Sequence, residues 1–452
     1  MTYTINIFHV ENPDDVLQGE LPRLMERGPY VYDLIVEKEI LSVNEIRDEI
    51  TFNIKKTYHY NDERSGELSE NDEVVILNVA YLGAVNTLAG FSLSLLKQYG
   101  VAIDKLFTEK NPLFVKAKVK DLLFDGIPVF CDITKHEKMK LICMTLKGRK
   151  PPILWNTDIE NHYMYSLLGT RNGTWFGPIT SNRGLQNPTL LGEITSIHNK
   201  RAQTYWTSEE CNAIKGTDSL IFPFYDEPPQ RIYIYIYELC RHFFIDYQRS
   251  EKYNEMYDVW RYSNSIENWS YNHSECYCPV SKKKKTCPPS GLMDANKCMK
   301  IPVFISEPHF LNADPVILDY VPDLIPSEEL HSSYILIDPL TSNPIEGYRK
   351  SQVNMKITSY PIDLLANVTD GYFPIIWMNE GGMQNAAFLD VLSTTYKLRR
   401  LVSILQWLPA AIGVFLLILI LICYKLPIPR KQVQSVNPIA RINPNFVSSN
   451  IQ

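Results

Sequence analysis

Polar and apolar residues alternate along TINIFHV, Thr4 to Val10, the period-two pattern of a strand with one buried face. ENPDDVLQGELP then reads as a turn and a short helix leading into ERGPYVYDLIVEKE, and Ile46 to His59 continues in the same strand-like style. After the polar loop NDERSGELSEND the texture changes at Asn78. Leu88, Phe91, Leu95, Tyr99, Ile103 and Phe107 recur at three-to-four spacing, which predicts an amphipathic helical insertion over about 88–112 that bends or breaks at Gly100. Beyond Pro112, FVKAKVKDLLF sets Val115, Ala117 and Val119 against Lys116, Lys118 and Lys120, a half-exposed strand. RIYIYIYELC opposes Ile232, Ile234 and Ile236 to Tyr233, Tyr235 and Tyr237, and a strand apolar on both faces belongs inside a barrel or between packed layers. Short strands and Pro-rich turns fill the chain to about Thr394, with no internal repeat and no low-complexity linker. The expected fold class is mainly β with a helical insertion (α+β), in one domain over 1–397.

Leu401 to Tyr424, LVSILQWLPAAIGVFLLILILICY, carries no charge and is long enough to cross a hydrocarbon core. A buried core helix rarely stays apolar all round for six turns, so this reads as a membrane span over 401–424, with Trp407 at headgroup level. Basic residues flank both ends: Lys397, Arg399 and Arg400 before, Lys425, Arg430, Lys431 and Arg441 after. Charge therefore barely separates the two orientations. Four N-x-S/T sequons, at Asn172, Asn268, Asn272 and Asn367, and eight of the nine cysteines precede the span, which places the N-terminal body outside the cell. The tail over 425–452 is then cytoplasmic, and it holds four basic residues and no acidic one. Against a net charge of −6, the rest of the chain sits near −10, which excludes nucleic acid as a partner and suits the tail to an anionic inner leaflet. A large N-terminal body needs a leader or span to cross a membrane, so the natural chain is expected to continue upstream of Met1.

Enzyme signatures are missing: no G-x-S-x-G elbow, Walker loop, G-x-G-x-x-G or H-E-x-x-H occurs. His136-Glu137 lacks its second histidine, and His309 in SEPHF reads as a hydrogen-bonded structural residue. No catalytic residue, metal ligand or cofactor is expected. Cys276, Cys278, Cys287 and Cys298 crowd around four lysines in the region 211–298 as C-x-C-x8-C-x10-C. Zinc ribbons pair two close C-x2-C knuckles and this spacing supplies no second one, while an oxidising compartment favours disulfides. Eight cysteines allow 105 pairings, among which spacing does not choose.

YWTSEECNAIKGTD with FPF, YELCR, the CYC pair, CPPSG, NKC, SEPHF with Asp314-Pro315, ENPDDVLQGELP, RGPYVYD and PIIWMNEGG stand in an order that resembles the class B scavenger receptor family. That family includes fatty acid translocase and a lysosomal integral membrane protein. The likeness runs from about Ile7 through the span. It implies the pairs Cys211 to Cys276, Cys240 to Cys298 and Cys278 to Cys287. Cys131 and Cys143 remain and are paired with each other; this extra pair, with FVKAKVKDLLFDGIP, is similar to the sensory neuron membrane protein branch of insects. FPF replaces the family's usual doubled proline, and Glu307 stands where an apolar residue is usual.

The resemblance implies an antiparallel β-barrel ectodomain with a helical apex and an internal lipid tunnel, tethered to the plasma membrane. Its function would be non-enzymatic capture of long-chain lipids or lipophilic, fatty-acid-derived pheromones. Delivery would be to the membrane or to an odorant receptor channel in sensory neuron cilia and dendrites, with odorant-binding proteins as further partners. Lys97, Lys105 and Lys110 fall at the apex, where they would attract a carboxylate or polar lipid head, although solvated helix lysines account for the same pattern. Two other readings stand beside this one: a lysosomal or general scavenger receptor for lipid or protein cargo, and a membrane-anchored ectoenzyme. The tail lacks an acidic dileucine signal, which weighs against the lysosomal reading, and its NPNF suits endocytosis.

Overall fold

The alternating segments assemble, in a computed structural model describing residues 1–149, 151–255, 257–271, 275–281 and 284–425, into a thirteen-stranded sheet. Its main strands are β1 (Thr2–Val10), β2 (Leu24–Asn44), β3 (Glu49–Tyr60), β4 (Trp175–Asn182), β5 (Ile194–Ile197), β6 (Arg231–Ile236), β7 (Arg241–Tyr253), β8 (Tyr257–Asn264), β9 (Tyr334–Ile337), β10 (Pro344–Ile357) and β11 (Gly371–Met383). They pair in the order β5-β4-β3-β2-β1-β11-β10-β9-β8-β7-β6. Each of these pairings is antiparallel, as expected where hairpins make most of the connections. The N-terminal strand is central, with Thr4 opposite Val31 of β2 on one side and Asn379 of β11 on the other.

Left open, β5 and β6 would present unpaired edges. One short segment brings them together into a nearly closed barrel. The Ile194 N–H donates to the Gly216 carbonyl at 2.9 Å, and the Tyr235 N–H donates to the Thr217 carbonyl at 2.8 Å. Gly216 meets this double duty at φ +93°, and a Cβ there would lie 2.2 Å from the Tyr233 carbonyl oxygen. Its own N–H goes to the Glu193 carboxylate at 2.9 Å. Beside it, the Lys38 ammonium reaches Asp218 at 2.5 Å. Behind the seam, Phe52, Ile54, Ile179, Ile194 and Ile197 pack with Tyr235 in one apolar cluster, so the two ends of the sheet share a core. Burying each such side chain contributes about 1.5–3 kcal/mol.

The helical insertion sits on a hairpin outside the barrel sheet, Glu73–Leu77 paired with Phe114–Lys118. It consists of α1 (Val79–Phe91) and α2 (Leu93–Asp104), so it begins and ends earlier than the spacing predicted, and residues 105–112 are not helical. The break falls at Ser92 and not at Gly100. Ser92 is extended (φ −167°, ψ 134°) and its hydroxyl caps the second helix by accepting from the Ser94 N–H. Gly100 stays inside α2 because the helix presses there against Ile362, whose methyl carbon would come within 3.0 Å of an added Cβ. A third helix, α3 (Met139–Arg149), lies between the strands Ile127–Phe130 and Leu154–Asn156 and was not foreseen, although Met139, Ile142, Cys143 and Leu146 recur at helical spacing.

The chain divides after Ala386, earlier than the expected boundary at 397. From there run α4 (Ala386–Leu405) and α5 (Leu408–Lys425), and an eighteen-residue window of this stretch reaches a mean hydropathy of 2.5, long and apolar enough to cross a membrane. The expected span at 401–424 therefore contains a break, at Gln406 and Trp407. Pro409 has no N–H to continue the ladder, and the Trp407 N–H turns back to the Ile404 carbonyl at 3.2 Å. The tail from 426 onward lies outside the described residues.

Replacing Gly216 with Ala is expected to cost about 2–4 kcal/mol, from left-handed strain and collision at the seam, and to lower Tm by several degrees. Gly90→Ala, in α1 with open space around it, is the control and should leave Tm unchanged or slightly higher.

Candidate functional site

The face of β3 that carries Phe52 and Ile54 inward also carries Lys56 and Tyr58, at the same two-residue spacing. A lysine on an inward row must find charge or water. Lys56 finds two carboxylates, Glu380 at 2.7 Å and Glu238 at 3.2 Å. Glu380 is opposite Tyr3 of β1 and Arg349 of β10 in the register, and it also holds the Arg349 guanidinium. Tyr3 stacks edge-on against Tyr58 at 5.0 Å, and the Lys56 ammonium lies 5.7 Å from the Tyr237 ring. Two cations, two anions and three phenol rings thus meet inside the barrel, one row in from Thr2.

Burial alone would push the Glu380 carboxyl up, but Arg349 and Lys56 outweigh it and hold the group down at about 2. Glu238 is lowered in the same way, its burial overcome by Lys56 and then Arg349. Lys56 is raised, the two carboxylates overcoming the burial that acts against its charge. All four groups are therefore ionised at neutral pH. Glu238 projects from the turn Tyr237–Leu239, and that turn is pinned by the disulfide from Cys240 to Cys298. The Trp206 indole N–H anchors the Cys240 carbonyl at 2.7 Å, and Trp206 stacks on Tyr277 at 5.1 Å.

The structure bonds Cys211 to Cys276, Cys240 to Cys298, Cys278 to Cys287 and Cys131 to Cys143, with Cα separations of 4.9–6.2 Å. Cys423 is free and exposed. The 65-residue separation between Cys211 and Cys276 corresponds to about 4 kcal/mol in the chain-entropy picture. Lys97, Lys105 and Lys110 are all exposed: the first lies on α2, the second at its C-terminal end and the third in the following loop. Phe91 and Val101, 62 % and 53 % exposed, stand on the same helical pair.

The sequons divide by environment. Asn367 is exposed and Asn172 is half-buried, accepting the Tyr58 N–H on its carbonyl at 3.1 Å. Asn268 is buried, and its amide nitrogen already donates to the Phe244 carbonyl at 2.7 Å and to Asn264 at 2.8 Å. A glycan on that nitrogen does not fit, so the expectation for Asn268 is corrected. Asn272 lies outside the described residues, as do Lys282 and Lys283 of the lysine run. Glu307, noted for its chemistry in an apolar position, is buried against two amides, Asn264 at 3.1 Å and Asn312 at 2.9 Å. Burial pushes its carboxyl up to about 7 in spite of those donors.

The ionic cluster escaped the sequence reading because its members are scattered over 56, 238, 349 and 380. A signal existed: Lys56 follows Phe52 and Ile54, and Glu380 follows Ile376 and Met378, each at strand spacing on an inward face. Among the described residues no group of three or more His, Cys, Asp or Glu side chains is placed to hold a metal ion.

Compared with known proteins, residues 1–424 match the sequence model of the CD36 family. The chain is similar to sensory neuron membrane protein 2 of Manduca sexta, 30% identical over 432 residues covering 93% of this chain and 82% of that protein. It is likewise similar to sensory neuron membrane protein 2 of Ostrinia furnacalis, 30% identical over 92% of this chain and 81% of the relative. Sensory neuron membrane protein 1 of Helicoverpa assulta is 31% identical, over 91% of this chain and 79% of the relative.

Because the folded Glu380 sits at about 2, below its unfolded value near 4.5, its contribution is complete above about pH 4.5. It is lost as pH falls toward 2, an effect of roughly 3 kcal/mol. Glu380→Gln is expected to lower stability at neutral pH by about 3–5 kcal/mol and to flatten this acid slope, read by denaturant titration across pH. In peptide mapping under non-reducing conditions, the four bridged pairs should appear intact, with Asn367 carrying a glycan and Asn268 bare.

Proposed function

The chain belongs to the CD36 family, whose membership carries a membrane lipid-binding receptor role, and on that premise we propose that it is a non-enzymatic receptor for long-chain, lipophilic ligands at the surface of sensory neurons. The observation that supports this most is the extent of the match. It runs from the first barrel strand through the apolar helix, so one polypeptide joins a lipid-receptor barrel to a membrane-length anchor.

The physical basis is transfer. A long alkyl chain leaving water gains about 0.8 kcal/mol for each methylene buried, so capture in a conduit running through the barrel needs no covalent step. Release into a bilayer is nearly neutral, since the chain exchanges one apolar surrounding for another. Exposed Lys97, Lys105 and Lys110 then act as an entry surface for polar heads, and Phe91 and Val101 as a landing for alkyl chains. The ligands in this reading are fatty-acid-derived pheromones, passed to the membrane or to an odorant receptor channel, with odorant-binding proteins as donors. The four disulfides suit an extracellular position for the barrel.

The test is equilibrium binding of a radiolabelled long-chain ligand to the full chain in lipid nanodiscs, with empty nanodiscs as background. Saturable binding with the ligand recovered chemically unchanged is the expected result. Conversion of the ligand to a product would reverse the assignment to an enzyme.

A further inference from the structure

Antiparallel pairing decides which loops share an end of the barrel. At the end where β1 begins, β2 and β4 finish, β3 starts and β11 finishes, so Met1, the turn 45–48, the loop 183–193 and Met383 all belong to it. The chain leaves by the same end, running from Met383 to Ala386 and on into the membrane-length stretch. The helical insertion joins β3 to β4 at the opposite end. The sequons at Asn172, just before β4, and Asn367, in the connection from β10 to β11, belong to that opposite end too.

β2 does not stop where its pairing with β1 stops. The last of those pairs is Thr2 with Asp33, but the strand continues to Asn44 with β3 alone beside it. Every residue from Glu37 to Arg47 is exposed, so this end of the hairpin stands clear of the body on both faces. The turn is nonetheless firmly built. Asp48 is buried at φ 54°; its carbonyl accepts the Arg183 N–H at 2.7 Å and its carboxylate accepts the Gln186 N–H at 2.8 Å. The Gln186 side-chain amide donates to the Glu45 carbonyl at 3.1 Å, which makes the turn and the loop 183–193 one body. Outward that body shows aliphatic side chains. Ile46, at 90 %, is the most exposed large apolar residue among those described, Leu185 is 71 % exposed, and Ile40, Leu41 and Val43 are exposed behind them. Single exposed aliphatic residues need no explanation, whereas five at one projecting tip mark a contact surface.

The anchor supplies the partner. Between the barrel and the uncharged stretch that starts at Leu401, residues 387–400 of α4 measure about 21 Å as a helix. Past Asp33, β2 extends about 35 Å along its own axis, or about 27 Å along the barrel at a strand tilt of about 40°. The tip therefore reaches at least as far as this tether can hold the barrel from the bilayer. Charge sets the mode of contact: Glu37, Glu39, Glu45, Asp48 and Glu49 outnumber Lys38 and Arg47, so anionic headgroups do not draw the tip in and apolar insertion must. We propose that the β2–β3 turn and the β4–β5 loop form a docking tip that inserts Ile46 and Leu185 into the outer leaflet of the bilayer carrying the anchor. The barrel is then held at two places, and its tilt on the membrane is fixed. This inference is independent of which lipid the protein carries.

The experiment uses the full chain at one copy per phosphatidylcholine nanodisc, so that no second copy can cover the tip. In a Cys423→Ser background, Ile46→Cys, Leu185→Cys and Val101→Cys, the last on α2 at the opposite end, each carry the same fluorophore. Nitroxide-labelled acyl chains quench it from the lipid and iodide quenches it from water. At positions 46 and 185 the expected result is lipid quenching, with iodide quenching about fivefold weaker than at 101, and no change in high salt. Ile46→Asp combined with Leu185→Asp, read from a label at Ser42→Cys, should weaken lipid quenching there by about twofold or more. Unchanged quenching at 42 would mean that the tether alone imposes proximity, and it overturns the proposal. Iodide quenching at 46 and 185 equal to that at 101, or protection from iodide without lipid quenching, overturns it as well. The two tip positions are labelled separately, so if one variant fails to fold the other still decides.

Discussion

A sheet of this size has to dispose of its two edges, and everything else in the barrel depends on how that is done. Here the solution is a single rung. Gly216 and Thr217 pass between β5 and β6, giving one carbonyl to each side, and the left-handed glycine is what lets the backbone face both. The apolar cluster behind the seam forms only because the rung holds Tyr235 against Ile194 and Ile197. Closure in turn encloses Lys56, Glu238, Arg349 and Glu380, raising the strength of their mutual attraction by keeping water away. An open sheet would leave the same four charges as a weak surface group.

The disulfides act on the same enclosure from outside. Cys240 to Cys298 ties down the turn that presents Glu238, and the packing of Trp206 on Tyr277 fixes the Cys240 carbonyl from the other side. The carboxylate is thus set by covalent and aromatic restraints more than by its ion pair.

Strand alternation made most of the barrel legible. TINIFHV, the β3 segment and the RIYIYI part of RIYIYIYELC all lie in strands, while Tyr237–Leu239 turns away, and the last strand has Ile232 in one apolar cluster and Tyr235 in another. The helical insertion was legible as a type but not in its limits. Its apolar spacing runs on through Phe107, while the starts of its two helices are set by the Asn78 and Ser92 caps, which bond backbone amides locally. The Gly100 break was misplaced because a glycine is tolerated in a helix where a neighbour such as Ile362 needs the room. The buried charges were harder to see: an isolated lysine on an inward row looks like a defect until strands far apart in sequence supply its partners. The sequon at Asn268 shows the same limit, since three residues can spell a modification motif and still be folded into a hydrogen-bonded corner.

The two helices of the insertion leave and rejoin the body at one place. Asn78 and Leu113 are bonded backbone to backbone at 2.8 Å, and the hairpin beneath them is paired through its full length. A segment whose entry and exit coincide is, mechanically, a handle: its exposed residues can drift among descendants while its inner face, Tyr81, Leu82, Val85, Leu96 and Ile103, stays packed in the shared core and the staves below keep their register. Change on the outer side of the handle is therefore decoupled from preservation of the vessel beneath it.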